Sequence, residues 1–496
     1  MFLAIWFFVS CIVSTGYAKI HYNKFPKDFI FGVGTSSYQI EGAWNIDGKG
    51  PSIWDNFTHR VPSPISNNDT GDVACDHYHR YKEDIRNIYN IGFQFYRFSI
   101  SWPRVLPTGY SKPINEKGIS FYKKIINEIL RYNMTPVVTI YHWDLPQRLY
   151  EDGIDWTNPK LVDIFVDYAR IIISRFPEVG LWTTINEPKQ ICRLGYGTGI
   201  LAPGVKSDGL LEYQCTYVIL KTHAATYRMY KKEFSHYKAK MSIVIECPWS
   251  EPLTNTKSNK DASERLRQFE CGMYMHPIYI GDWPKIVKDR IAQRSKSQNL
   301  TKSRLPSFTR EEIAFIKGTQ DYLGLNYYYT YLVSNIAAGE KGFTNYEYDM
   351  GAIISENPNW KFDKNLRKNT PWGIRRALKW IKGQYNNPVI LITEMGVSDD
   401  GTTIQDDQRI EYYREYSCNI LDAMYVDKVK VVGLGAWSLM DNFEWMLGYK
   451  SHFGLYYIDF YNDPSLKRVP KKSVQYFRQI IKSRELICNI YDTNFY

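Results

Sequence analysis

The sequence predicts an α/β fold, a single-domain (β/α)8 barrel of the TIM type, on three observations. Short runs rich in β-branched and aromatic residues alternate with longer amphipathic stretches, the repeat of βα units around a parallel sheet. Eight such runs can be named, the number that closes a barrel. No Pro/Gly/Ser linker or low-complexity tract divides the 496 residues, and barrels run longer than average as single units. A doubly wound open sheet is the runner-up, weakened because no Gly-rich phosphate turn follows the first run.

In chain order, residues 1–18 (MFLAIWFFVSCIVSTGYA) read as a signal peptide, with an apolar run from Phe2 to Val13 and cleavage expected after Ala18. No Lys or Arg precedes the run. The barrel domain is then 19–496, secreted or delivered to a lumenal compartment, and no later stretch is apolar enough to span a bilayer. The first four predicted strands are Phe29–Ser37, Phe93–Ser101, Pro136–Trp143 and Leu181–Glu187. Met241–Glu246, Tyr322–Tyr329, Val389–Glu394 and Val431–Leu439 complete the set. Helical patterns lie between them; in one, Leu161, Ile164, Phe165, Tyr168, Ile171 and Ile172 recur at helical spacing, which is core packing. The stretch from Cys247 to Thr319 is too long for one connection and is expected to carry extra helices or lid-like loops.

Composition narrows the partners. The net charge is +10, but Lys and Arg are scattered through predicted helices, so a nucleic-acid footprint is not expected and a solvated basic surface is. The 40 Tyr and 14 Trp suit a protein that packs aromatic faces on sugar C–H faces, and equally a plain composition bias. With Cys11 removed, Cys75, Cys192, Cys215, Cys247, Cys271, Cys418 and Cys488 remain, an odd number that leaves at least one thiol free. None has zinc-ligand spacing. Asn56, Asn68, Asn133 and Asn299 each open a glycosylation sequon.

Barrel sites lie at the C-terminal ends of the strands. Gln39 follows strand one, Arg97 lies in strand two and His142 follows strand three. Asn186 and Glu187 end strand four, Asn326 and Tyr328 strand six, Glu394 strand seven, and Trp437 lies in strand eight. Singly, each has a plain alternative: His142 a satisfied core histidine, Arg97 a buried ion-pair partner. Together at matching strand ends they point to a site. Glu187 and Glu394, 207 positions apart, are the two carboxylates that glycosidic cleavage requires.

The chain also resembles glycoside hydrolase family 1 along essentially its whole mature length. The resemblance rests on FIFGVGTSSYQIEGAWNIDGKGPSIWD, YRFSISWPRVLPTG, YHWDLPQRL, TINEP, DYLGLNYY, ITEMG, WSLMDNFEW and FGLYYIDF, in the family's order. It implies a (β/α)8 barrel that hydrolyses a β-linked glucose with retention and without cofactor or metal. Glu187 would be the acid/base and Glu394 the nucleophile, supported by Arg97 and Tyr328. Gln39, His142, Asn186, Asn326, Glu444 and Trp445 would bind glucose, with Trp437 as a stacking platform. Asp441 is expected to hold the loop after strand eight. A retaining reaction predicts the two carboxyls about 5–5.5 Å apart.

Two features depart from the family. Met395 stands where Asn usually follows the nucleophile, so the loop around Glu394 is expected to be held differently. Lys189 and Arg193 follow the acid closely, in a segment that the family uses near the leaving group. They are read either as a solvent-facing loop or as contacts for an anionic aglycone such as a glucosinolate sulfate. The leading expectation is a secreted β-glucosidase, a monomer or homodimer acting on small β-glucosides. A thioglucosidase (myrosinase) is the alternative, although plant relatives with that activity replace the acid with Gln. A non-catalytic klotho-like binding protein is a remote one, because such proteins lose a carboxylate.

Overall fold

The computed structural model describes residues 23–207, 209–336, 345–357, 360 and 369–488. The expected signal peptide and Cys11 lie outside the described residues. Eight parallel strands close into a barrel, each beside its neighbours in the chain and the last beside the first. They are β1 (Ile30–Gly34), β2 (Phe95–Ser99), β3 (Thr135–Tyr141) and β4 (Leu181–Asn186), then β5 (Lys240–Glu246), β6 (Leu323–Asn326), β7 (Ile390–Met395) and β8 (Val431–Trp437). Closure rules out the open sheet: Ile30 to Gly34 on β1 pair with Gly433 to Trp437 on β8.

The outer ring is α1 (His77–Ile91), α2 (Glu116–Arg131), α3 (Leu161–Arg175), α4 (Leu211–Glu233), α5 (Arg310–Ile316), α6 (Trp372–Gln384), α7 (Asp407–Tyr425) and α8 (Lys472–Ser483). Local signals set several ends. Thr309 and Glu312 form a reciprocal capping box at the start of α5, satisfying backbone donors that a helix start leaves unpaired. Gly92 closes α1 at φ 98°, a left-handed conformation that a Cβ would disfavour. The stripe predicted on α3 is core packing: Leu161, Phe165, Tyr168 and Ile172 are buried, and the partly buried Ile164 and Ile171 pack against the same core.

Inside the barrel, near the strand starts, a separate apolar plug of Phe95, Val137, Tyr322 and Leu391 packs with Ile30 and Leu181. Gly32 makes room for it, since a Cβ there would lie 2.4 Å from the Phe95 ring. Towards the other end the interior turns polar, and the register breaks. On β4 the pairing with β5 shifts between Thr183 and Asn186, and on β7 the pairing with β6 shifts between Ile392 and Glu394. Strand side chains alternate faces, so such irregularities let consecutive residues reach the same space.

The predicted sixth strand, Tyr322–Tyr329, is corrected: β6 stops at Asn326, and the chain pairs again from Thr330. That second run, Thr330–Asn335, lies between Trp249–Pro252 and Ala352–Ser355 in a three-stranded sheet. The long stretch after β5 carries helices Lys257–Arg267, Met273–Tyr279 and Lys285–Ser297, as expected. Cys192–Cys215, Cys247–Cys271 and Cys418–Cys488 are disulfides; Cys75 is the free thiol among the described residues and is buried.

Candidate active site

A cavity of about 800 Å³ opens at the C-terminal ends of the strands, lined by His142, Asn186, Glu187, Tyr328, Glu394, Trp437, Glu444 and Trp445 among others. Arg97, Asn326 and Gln39 stand behind that lining, bonded to residues within it. The strand ends therefore bring the expected residues together.

Glu187 follows β4 with φ 47°, its backbone N–H bonded to the Val244 carbonyl on β5 at 2.9 Å. Trp143 and Trp445, also in the lining, have positive φ (82° and 51°). Non-glycine residues held in this region cost about 1–3 kcal/mol each, a strain that clusters at functional sites. Asn326 Nδ2 donates to Glu187 Oε1 at 2.6 Å and lies 3.3 Å from Asn186 Oδ1. Asn326 is itself fixed by the Thr393 hydroxyl, 2.7 Å from its Oδ1. Burial, with Glu394 and Glu246 nearby, holds the Glu187 carboxyl well above the ordinary carboxylate range, against the opposing pull of Asn326 and Lys189. That is what a proton donor needs.

Glu394 has the opposite company. The Arg97 guanidinium donates to its Oε1 and the Tyr328 hydroxyl to its Oε2, the latter at 2.6 Å. Arg97 also donates to Asn186 Oδ1 at 2.7 Å, so one buried guanidinium ties β2 to β4 and β7. Burial, Glu394 and Glu187 push the Tyr328 phenol well above its usual range, which keeps it a donor. Arg97 and Tyr328 thus each hold one oxygen of the Glu394 carboxylate, which fixes its orientation in the cavity.

The remaining lining offers polar groups and aromatic faces. Burial and Arg97 lower the His142 imidazole well below its usual value, so the ring is neutral. Its Nε2 accepts from Asn186 Nδ2 at 3.2 Å, which leaves the proton on Nδ1, a buried atom without a protein partner. Trp437 and Trp445 flank that ring nearly parallel to it, at 6.0 and 6.1 Å. Gln39 Nε2 donates to Asn442 Oδ1 and the Phe443 carbonyl, both at 2.9 Å, and lies 3.4 Å from Glu444 Oε2. Gln39 thus anchors the loop that presents Glu444. Asp441 holds the same region from behind, accepting from His452, the Gly454 N–H and Lys471.

Met395 is buried within β7, where its carbonyl accepts from Tyr413 at 2.7 Å. The next residue, Gly396, passes so close to the Trp437 carbonyl that a Cβ would lie 2.1 Å from its oxygen.

The anion-contact reading of Lys189 and Arg193 is corrected. Neither side chain lines the cavity, and Lys189 is buried. Lys189 Nζ pairs with Glu246 at 2.7 Å and Glu270 at 2.6 Å, while Arg193 pairs with Glu270 at 3.2 Å and Glu347 at 2.9 Å. Protein carboxylates already occupy both cations. Glu246 is a lining residue that sequence reasoning missed, although it carried the same signal as the other two carboxylates: a Glu ending the apolar run MSIVIE. Trp143, Tyr329, Tyr331, Ile354 and Ser355 also line the cavity. Among the described residues, no group of three or more His, Cys, Asp or Glu is placed to hold a metal, and no helix is long and apolar enough to cross a membrane.

The sequence model of Glycosyl hydrolase family 1 matches residues 21–486. Myrosinase 1 of Brevicoryne brassicae is 42% identical over 471 residues, which cover 93% of this chain and 99% of that protein. Cytosolic beta-glucosidase of Cavia porcellus is 41% identical over 473 residues, again 93% and 99%. Among solved structures, a rice Os3BGlu6 beta-glucosidase mutant in a covalent complex with Glc superposes with a TM-score of 0.86. It is 34% identical, and the match covers 92% of this chain and 98% of that one.

Proposed function

The chain belongs to glycosyl hydrolase family 1, and from that premise we propose that it is a secreted β-glucosidase that works with retention through a glucosyl-enzyme. The observation that carries the reading is the opposed setting of two carboxyls in one cavity: Glu187 buried with its proton affinity raised, Glu394 held by Arg97 and Tyr328. In the first half-reaction a Glu394 oxygen bonds to the anomeric carbon as the bond to the leaving oxygen breaks. Glu187 gives that oxygen its proton. Esterified Glu394 has lost its charge, so Glu187 loses a negative neighbour and becomes a base. It then takes a proton from water, whose oxygen bonds to the anomeric carbon and releases Glu394. Retention places the carboxyls about 5–5.5 Å apart. The covalent Glc complex in the rice relative supports such an intermediate.

His142, Asn186, Glu444, Gln39, Asn326 and Trp445 serve glucose recognition in this account, with Trp437 beneath the ring. Secretion is supported by residues 1–18, by three disulfides of the kind that persist in oxidising compartments, and by the exposure of Asn56, Asn68, Asn133 and Asn299. Similarity to a myrosinase keeps thioglucoside cleavage as the second reading. It ranks below the first because Glu187 is present and, among the described residues, the lining has no Lys or Arg for an anionic aglycone.

The test is proton NMR of turnover, run on a nitrophenyl glucoside, a cyanogenic glucoside and a glucosinolate. The reading expects β-glucose as the first-formed anomer, with O-glucosides preferred. α-Glucose first, or no turnover of any of the three, would overturn it.

A further inference from the structure

We propose that Glu246, at the end of β5, is a third carboxylate of the catalytic centre: a positioning residue that sets the proton affinity of Glu187 in both half-reactions. The inference rests on the reading of Glu187 as acid/base.

Three adjacent strand ends place it. In the β5–β6 register Glu246 lies across from Asn326, and in the β6–β7 register Asn326 lies across from Glu394. Neighbouring strands are about 4.8 Å apart. Asn326 bonds Glu187 at 2.6 Å, so the residue flanked in register by Glu246 and Glu394 is the one that holds the acid. Glu246 and Glu187 both face the cavity, and both are more than nine-tenths buried, where charges act strongly on one another.

Glu246 also grips the turn that carries the acid. It accepts from Lys189 Nζ and from Gln190 Nε2, each at 2.7 Å, and these residues follow Glu187 almost directly. Behind Lys189 the charges alternate outward through Glu270 and Arg193 to Glu347, which is largely exposed. Glu270 shares Lys189, so that cation is divided between two carboxylates and Glu246 keeps part of its field. The other groups facing this cluster are Tyr329 and Tyr331 beside Glu246 and Lys189, and Tyr328 and Arg97 on the Glu394 side.

The arrangement gives Glu187 two anionic neighbours that behave differently. Glu394 loses its charge when it bonds to the anomeric carbon. Glu246 forms no bond and stays the same through the cycle. Glu187 therefore remains a better base toward water in the glucosyl-enzyme than it would beside Glu394 alone.

The experiment is the pH dependence of kcat/KM on a nitrophenyl β-glucoside for wild type, E246Q, E246D and K189Q, each normalised to its own plateau. At a pH where the wild type keeps half its plateau, E246Q is expected to keep about two- to fivefold less, the effect of removing one nearby buried charge. E246D moves back toward wild type, and K189Q shifts the alkaline limb to higher pH. A part played only in holding the turn would lower the plateau without moving the limb. Superimposable E246Q and wild-type limbs overturn the proposal. If E246Q shows no cooperative melting transition, E246A, which removes the same charge, decides, and an unmoved limb there overturns it. Wild-type protein that turns over no β-glucoside would instead remove the reading of Glu187 itself.

Discussion

At the residue scale, function follows from how the fold treats chemically identical groups. Glu187 and Glu394 differ only in their company. Because burial raises the Glu187 carboxyl, activity should fall as pH rises through that raised value and the proton is lost. Replacing Glu187 with Gln should abolish that alkaline limb and slow hydrolysis of poor leaving groups by about 10²–10⁴-fold, with a smaller loss on dinitrophenyl glucoside. Steady-state kinetics on the two substrate types checks this. Arg193 carries a different expectation. R193A leaves Glu270 with Lys189 alone and should cost about 1–3 kcal/mol of stability in urea unfolding, while KM for sulfated and neutral glucosides changes alike. A selective rise in KM for sulfated substrates would restore the anion-contact reading. Asp144 offers a third check. Burial pushes its carboxyl up to about 7, with Glu41 adding to the shift and Ser37 and Lys49 opposing it. Its folded value exceeds its unfolded one, so the stability it contributes is present at low pH and lost as pH rises through about 7. D144N should therefore melt close to wild type at pH near 4 and increasingly above it by pH near 8.

At the element scale, most of the barrel was legible. A strand buried on both sides must be a short apolar run, and all eight were visible as such. What the sequence hid lies where neighbouring strands decide the geometry. The Tyr-rich run from Tyr322 reads as one strand, but β6 ends at Asn326 and the chain starts a new sheet at Thr330. The register shifts on β4 and β7 are equally invisible, yet they bring Asn186 with Glu187, and Thr393 with Glu394, toward the same space. Lys189 and Arg193 were misread for a related reason: their partners, Glu246, Glu270 and Glu347, come from distant segments. Gly32 tests the packing of the strand starts. G32A puts a methyl into the Phe95 ring and should cost about 1–3 kcal/mol by denaturant unfolding, through overpacking rather than through the site.

At the scale of the whole molecule, the barrel makes one cavity out of residues from nearly every strand, and it does so on a frame tied by long-range crosslinks. Cys418–Cys488 spans 70 positions and fastens the segment after α8 to α7. Removing it with paired Ser substitutions should cost about 2–4 kcal/mol and lower Tm, and wild type melted under reductant should fall in the same direction. The central claim is covalent catalysis on Glu394. Incubation with a 2-deoxy-2-fluoro-β-glucoside bearing a good leaving group, followed by intact mass and peptide mapping, tests it most directly. One fluoroglucosyl unit per chain is expected, on the peptide containing Ile392 to Gly396 and at Glu394. Turnover of β-glucosides with no adduct, or an adduct on any other residue, would contradict it.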